Sequence, residues 1–164
     1  MKRMLSTVIL AIVFAALASP RGVLADEFRL QAAFTVAFVA TPNSGHAAYC
    51  DGPALDYDVE AHGDGYSSLG ALTFFLRKTF GGNIGHGCLT LSTPDGDTLS
   101  ATYDLTQGQP NAHNFVTDGR GTLIFTGGTG LFKRAKGKAT FTAVFSQDTG
   151  FYVVDGKVSA GGGD

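Results

Sequence analysis

The sequence predicts an all-β protein: a single closed eight-stranded antiparallel β-barrel that follows an N-terminal signal peptide. Three observations lead there. After residue 26, apolar residues recur at every second position in a series of short runs, which marks strands with two unlike faces. Glycine and turn residues separate those runs, with 23 Gly among 164 residues. Helical periodicity is nearly absent beyond the first 25 residues.

The leader comes first. Lys2 and Arg3 precede an apolar run from Leu5 to Ala18, and Val23-Leu24-Ala25 offers small residues before a cut. This is the layout of a secretory signal peptide over residues 1–25, with a cut after Ala18 as an alternative. The apolar run is shorter than the roughly 20 residues that span a bilayer, so a retained anchor is the minor reading. A barrel domain over 26–160 and a disordered glycine tail over 161–164 complete the expected organisation. The location that follows is secreted or periplasmic, with no membrane contact once the leader is removed.

The strands then follow in order. Phe28, Leu30, Ala32, Phe34, Val36 and Phe38 alternate with mostly polar or small residues. Thr41 to Pro53 reads as a long loop holding His46 and Cys50. Leu55, Tyr57, Val59 and Ala61 alternate with Asp56, Asp58, Glu60 and His62, and Leu72, Phe74 and Leu76 alternate with Thr73, Phe75 and Arg77. Leu89 and Leu91 make a short run. Thr93-Pro94-Asp95-Gly96-Asp97 is a hairpin signal that leads into Leu99, Ala101, Tyr103 and Leu105. Gln107 to Asn114 is irregular and polar and carries His113. Leu123 and Phe125 follow, then Ala139, Phe141, Ala143 and Phe145. Gln147-Asp148-Thr149-Gly150 turns the chain into Tyr152, Val154 and Val158. Short turns favour antiparallel neighbours, and eight strands can close and so remove their edges. Two stacked sheets are the rival architecture.

The stretch FTGGTGLFKRAKGKATF, Phe125 to Phe141, poses a question of its own. Its glycines suggest a phosphate cradle, but such a loop needs a lysine in fixed register and a following helix. Here Lys136 to Phe141 continues as a strand. The stretch therefore reads as a strand-to-strand turn, with Leu131 and Phe132 folded back as an apolar plug over the barrel end. Lys133, Arg134, Lys136 and Lys138 read as a solvated patch, with contact to an anionic ligand or surface as the minor reading.

Charge narrows the partners. The chain has 12 basic and 14 acidic residues; Lys2, Arg3 and Arg21 leave with the leader, so the mature balance is 9 minus 14, or −5. Nucleic acid, which wants a basic surface, is not an expected partner. His46, His62, His86 and His113 lack the spacing of a metal site, and no serine lies in a nucleophile elbow. Neither a metal nor a cofactor is expected. Asp56, Asp58, Glu60 and His62 share one strand face, read as a solvated outer face or, if turned inward, as crowded acids suited to catalysis. Cys50 and Cys88 are either a disulfide, which export permits, or two free thiols.

Gly127-Gly128-Thr129-Gly130, followed by Leu131-Phe132 and then by Ala135 and Gly137, resembles the signature turn of the allene oxide cyclase and dirigent barrels. Leu69 to Phe80 is similar to the second-strand region of the plant cyclases. Gly85-His86-Gly87-Cys88-Leu89-Thr90-Leu91 resembles their cysteine-containing third strand, and Asp97 to Tyr103 the strand after it. The resemblance covers roughly residues 65–158 and extends to small secreted bacterial proteins with such a barrel. It implies cofactor-free work in an apolar cavity, either cyclisation or isomerisation, or steering of a reactive intermediate, by a homo-oligomer, usually a trimer. Cys88 falls where the plant enzymes carry an active-site cysteine, and Arg77 where they carry a pocket asparagine. Their first-strand glutamate has no counterpart; Asp56, Asp58 and Glu60 sit in a different context, ahead of the Leu69-Gly70 motif. The catalytic candidates are thus Arg77, Cys88, Glu60 and Asp58; the ligand-binding candidates are Phe75, Arg77 and Tyr103. Three functions stay open: a barrel that binds a small apolar or aromatic molecule, a cofactor-free cyclase, isomerase or dirigent-type guide, and a structural protein whose barrel is filled by phenylalanine.

Overall fold

A computed structural model describes residues 27–45, 47–111 and 116–160. The expected leader, His46, His113 and the tail at 161–164 lie outside the described residues. The strands are β1 (Phe28–Pro42), β2 (Tyr57–Ser67), β3 (Gly70–Gly81), β4 (Ile84–Ser92), β5 (Thr98–Gln107), β6 (Val116–Gly128), β7 (Lys136–Ser146) and β8 (Thr149–Ser159). Each pairs antiparallel with the next, and β8 returns to pair with β1, so the sheet closes on itself in chain order. The single closed barrel stands, and the stacked-sheet alternative does not.

The period-two pattern sets the interior. Leu30, Phe34, Leu76, Leu89, Leu99, Tyr103, Leu123, Phe125, Tyr152 and Val154 are all buried to 2% exposure or less. Burying such a side chain is worth roughly 1.5–3 kcal/mol each, so the alternation is enough to fix which face turns inward. β6 begins well before the Leu123–Phe125 signal. Its first inward positions are Thr117, Gly119 and Gly121, which carry no apolar alternation. Gly119 sits 2.6 Å, measured from where a Cβ would lie, from the Phe145 ring. The large residue on β7 needs the small one on β6.

The turns behave as the sequence suggests. Thr93 and Asp97 bond across their loop, Thr93 N–H to Asp97 O at 2.9 Å. The last hairpin is tighter than expected: Ser146 already pairs with Thr149, leaving Gln147 and Asp148 as the turn. Phe125 to Phe141 is indeed a strand-to-strand turn, with one 3-10 turn at Gly130–Phe132. Phe132 plugs that end of the barrel at 2% exposure, its ring 6.5 Å from Phe28. Leu131 does not share the task; it points outward and is exposed. Lys133, Arg134, Lys136 and Lys138 are exposed.

The segment 47–56 lies against the outside of β3 and β4. Asn43, nearly buried, organises it by bonding Ala47 O and Leu55 O through Nδ2. The Cys50–Cys88 disulfide, with Cα atoms 5.5 Å apart, fastens it to β4. Thr79 donates to Pro53 O at 2.6 Å beneath it and is fully covered.

Candidate functional site

Among the described residues, the barrel stays open at the end opposite Phe132. A cavity of about 520 Å3 enters there, walled by Phe38, Val59, Ala61, Phe80, Phe145 and Tyr152. Tyr57, Gln107, Thr117 and Gln147 bring polar groups to the same space. The volume falls within the roughly 300–1,000 Å3 of small-molecule sites. Below it, Tyr103 and Tyr152 close the interior with their hydroxyls 3.2 Å apart, and Tyr103 stacks on Phe141 at 4.8 Å. Burial pushes both phenols well above their usual pKa, so they stay neutral donors and acceptors.

Lys78 is the unusual member of the lining. Leu72, Phe74, Leu76, Lys78 and Phe80 share the inward face of β3, and Lys78 is only 6% exposed. Its Nζ sits 5.2 Å from the Tyr103 ring centre and 5.5 Å from those of Phe80 and Phe145. The sheet register explains how it reaches them. Lys78 pairs with Gly87 on β4, and Gly87 pairs with Tyr103 on β5. With no side chain at Gly87, the lysine stem can cross that strand to Tyr103; a Cβ there would press on Lys78. Desolvation lowers the Lys78 pKa to about 7. The three ring faces oppose that drop by cation–π attraction. Among the described residues no Asp or Glu lines the cavity and no ion pair includes Lys78. The pocket can therefore offer an ammonium or a neutral amine near neutral pH.

Of the catalytic and ligand-binding candidates singled out in the sequence, only Tyr103 reaches the interior, as the wall beneath Lys78. Phe75 and Arg77 are corrected: both lie on the outer face of β3. There the Arg77 guanidinium stands 3.4 Å from Glu60 and 5.2 Å from the Tyr49 ring, while His62 packs on Phe75 with ring centres 4.7 Å apart. Glu60 bonds His62 at 2.9 Å in the same exposed cluster. The acids of β2 thus face outward, as the solvated reading had it. Asp58 is the exception in burial, since Oδ1 is covered and has no hydrogen-bond partner among the described residues. Cys88 is no thiol nucleophile, because it is bonded to Cys50. The candidates do gather, but outside the barrel beside the disulfide. His86 completes that side, bridging Asp104 at 2.5 Å and Cys50 O at 3.2 Å. Among the described residues no three His, Cys, Asp or Glu side chains converge as metal ligands would.

No known family profile matches the chain, and no characterised protein matches it by sequence. Solved structures do. The pterocarpan synthase dirigent protein GePTS1 superposes with a TM-score of 0.55 at 15% identity, over 85% of this chain and 89% of that one. The pterocarpan synthase dirigent protein PsPTS1 gives 0.57 at 14% identity, over 84% of this chain and 97% of that one. The fold is that of a dirigent-like barrel. At such identity the likeness is one of backbone, and function has to be argued from the site that this dirigent-like barrel carries itself.

Proposed function

We propose that this dirigent-like barrel is an exported protein that takes one small apolar or aromatic molecule into the cavity above Lys78. The observation that carries the reading is the cavity. An eight-stranded barrel is just wide enough to be filled by side chains or to hold one small ligand. Here Phe132, Phe125, Tyr103 and Tyr152 fill one part, and about 520 Å3 remains open at the other end. A barrel packed with phenylalanine throughout is therefore the weaker reading. The Cys50–Cys88 bond and the leader-like first 25 residues support export. Arg29, Asp64, Arg77, Asp104, Arg120 and Lys138 on the outer strand faces are the reverse of the apolar band of a membrane-spanning barrel, which supports a water-borne protein.

The test is a titration with N-phenyl-1-naphthylamine, a neutral apolar dye that brightens out of water. Saturable binding at one dye per chain is expected, and Ala61→Phe, which fills the cavity, should abolish it. A dye that never saturates, or that binds Ala61→Phe equally well, would remove the proposal.

The second reading is a guide that holds a reactive aromatic intermediate and steers its closure. The fold shared with the two dirigent proteins supports it. A guide would bias the enantiomer ratio of a product formed from an intermediate generated in solution; a simple binder would leave it racemic.

A further inference from the structure

We infer that the ligand of this cavity is an apolar acid, its carboxylate paired with Lys78 and its hydrocarbon or aromatic body against Phe38, Ala61, Phe80 and Phe145. The inference rests on the binding role proposed above and names the ligand class for that same site. A buried cation is normally paired or hydrogen-bonded. Lys78 has neither kind of partner among the described residues, yet its amine is held in place by three rings and faces a cavity with apolar walls. What the pocket lacks is one negative charge. A carboxylate supplies it, and charge-assisted hydrogen bonds of this kind are the stronger ones. The Thr117 hydroxyl and the Gln107 amide, which line the same cavity, can serve the second carboxylate oxygen. A neutral ligand would leave the ammonium unpaired, and a cationic one would face like charge.

The pairing also ties binding to pH. Groups facing Lys78 from the neighbouring strands are Tyr57 on β2, Tyr103 on β5 and Tyr152 on β8; β1, β6 and β7 contribute no titratable side chain to the lining. Burial pushes Tyr103 and Tyr152 up, out of the neutral range. Lys78, lowered to about 7 when the pocket is empty, is the group that responds. A carboxylate favours the ammonium, so binding above neutral pH takes up a proton and weakens as pH rises. If the paired lysine stays charged at pH 9, affinity falls by about tenfold to a hundredfold between pH 6 and pH 9.

The experiment displaces bound N-phenyl-1-naphthylamine with trans-cinnamate or with cinnamyl alcohol, at pH 6 and pH 9, in the wild-type protein and in Lys78→Met. Cinnamate should compete at least tenfold better than the alcohol at pH 6 in the wild type and lose that advantage at pH 9. Lys78→Met should bind the dye, treat acid and alcohol alike, and show no pH dependence. Dye binding with no preference for cinnamate, or a preference that survives in Lys78→Met, overturns the acid while leaving the cavity's binding role intact. Failure of the dye to bind at all overturns that role as well. Cinnamaldehyde trapped on Lys78 by cyanoborohydride, with no reversible preference for cinnamate, would overturn the acid in favour of a carbonyl ligand and leave the binding role intact.

Discussion

Replacing Lys78 with Met should stabilise the protein, and most strongly below pH 7. The lysine's ordinary pKa of 10.5 drops to about 7 on folding because burial strips the ammonium of water. Between those values the unfolded chain holds a proton that the folded one has released, so stability rises with pH by up to about 1.4 kcal/mol per pH unit. Integrated over the interval, the charge costs the folded state about 5 kcal/mol at pH 6, where both states carry it. The Tyr103, Phe80 and Phe145 faces return about 0.5–1 kcal/mol each, so the expected gain for Lys78→Met is about 2–3.5 kcal/mol at pH 6. Methionine keeps the unbranched stem and brings no charge. Urea denaturation followed by far-UV circular dichroism at pH 6, 7.5 and 9 measures both proteins. Every other titrating group is common to the two, so their difference isolates Lys78, and it should shrink as pH rises. Parallel pH profiles, or a Met variant less stable than the wild type at pH 6, would refute the reasoning: the amine would then be hydrated, or paired, in the folded state.

Three further outcomes follow from the geometry. Reducing the Cys50–Cys88 bond, or Cys88→Ser, should cost about 4 kcal/mol by the loop-entropy relation for a separation of 38 residues, and hydrogen exchange should rise over residues 47–56. Tyr103→Phe should cost about 1–3 kcal/mol because it leaves the Tyr152 hydroxyl buried without its partner; the double Phe variant should lose less than the two single losses added together, which a double-mutant cycle reads directly. Gly87→Ala should cost about 1–3 kcal/mol, since its methyl would meet the Arg77 carbonyl and Lys78 Cβ, and it should weaken dye binding by displacing the lysine stem.

The barrel was readable because its inward faces are mostly apolar and its turns carry Gly, Asp and Pro. The site was not, and the reason lies in β3. Alternation places Phe75 and Arg77 opposite Leu72, Phe74 and Leu76, hence outside. The resemblance to the plant cyclases places Arg77 in the pocket. The structure follows the alternation. Carried two residues further, the same alternation puts Lys78 on the apolar face, and a charged residue in a core register was the available signal. It was masked because the legible run stops at Arg77, where a charged pair looks like the end of a strand. The cavity itself was harder to see. Its outline depends on Ala61 being small on the wall it shares with Phe145 and Tyr152, which is a property of strands distant in sequence. The disulfide was open to two readings, because only the path of the loop over β3 and β4 brings Cys50 to Cys88.

Arg77 and Lys78 are neighbours with opposite fates, and the difference in their chemistry explains which one went inside. Arg77 is half exposed and beside Glu60, where a permanent charge is hydrated and partly paired. Lys78 is buried with no anionic or hydrogen-bonding partner among the described residues, a place where a guanidinium, which does not deprotonate in proteins, would be held charged at full cost. A slip of one residue between β3 and β4 would exchange them. The register that prevents it is pinned at that point twice, by Gly87 opposite Lys78 and by Cys88 opposite Arg77, the latter bonded to Cys50. The strand therefore delivers to the interior the one cation of the two whose charge can be given up. An empty pocket can shed the proton and lower its cost; a pocket holding an acid can take it back. That is why the occupancy of this barrel should be legible in its proton count, and why an arginine at position 78 should bind acids without the dependence on pH or fail to close the barrel around it.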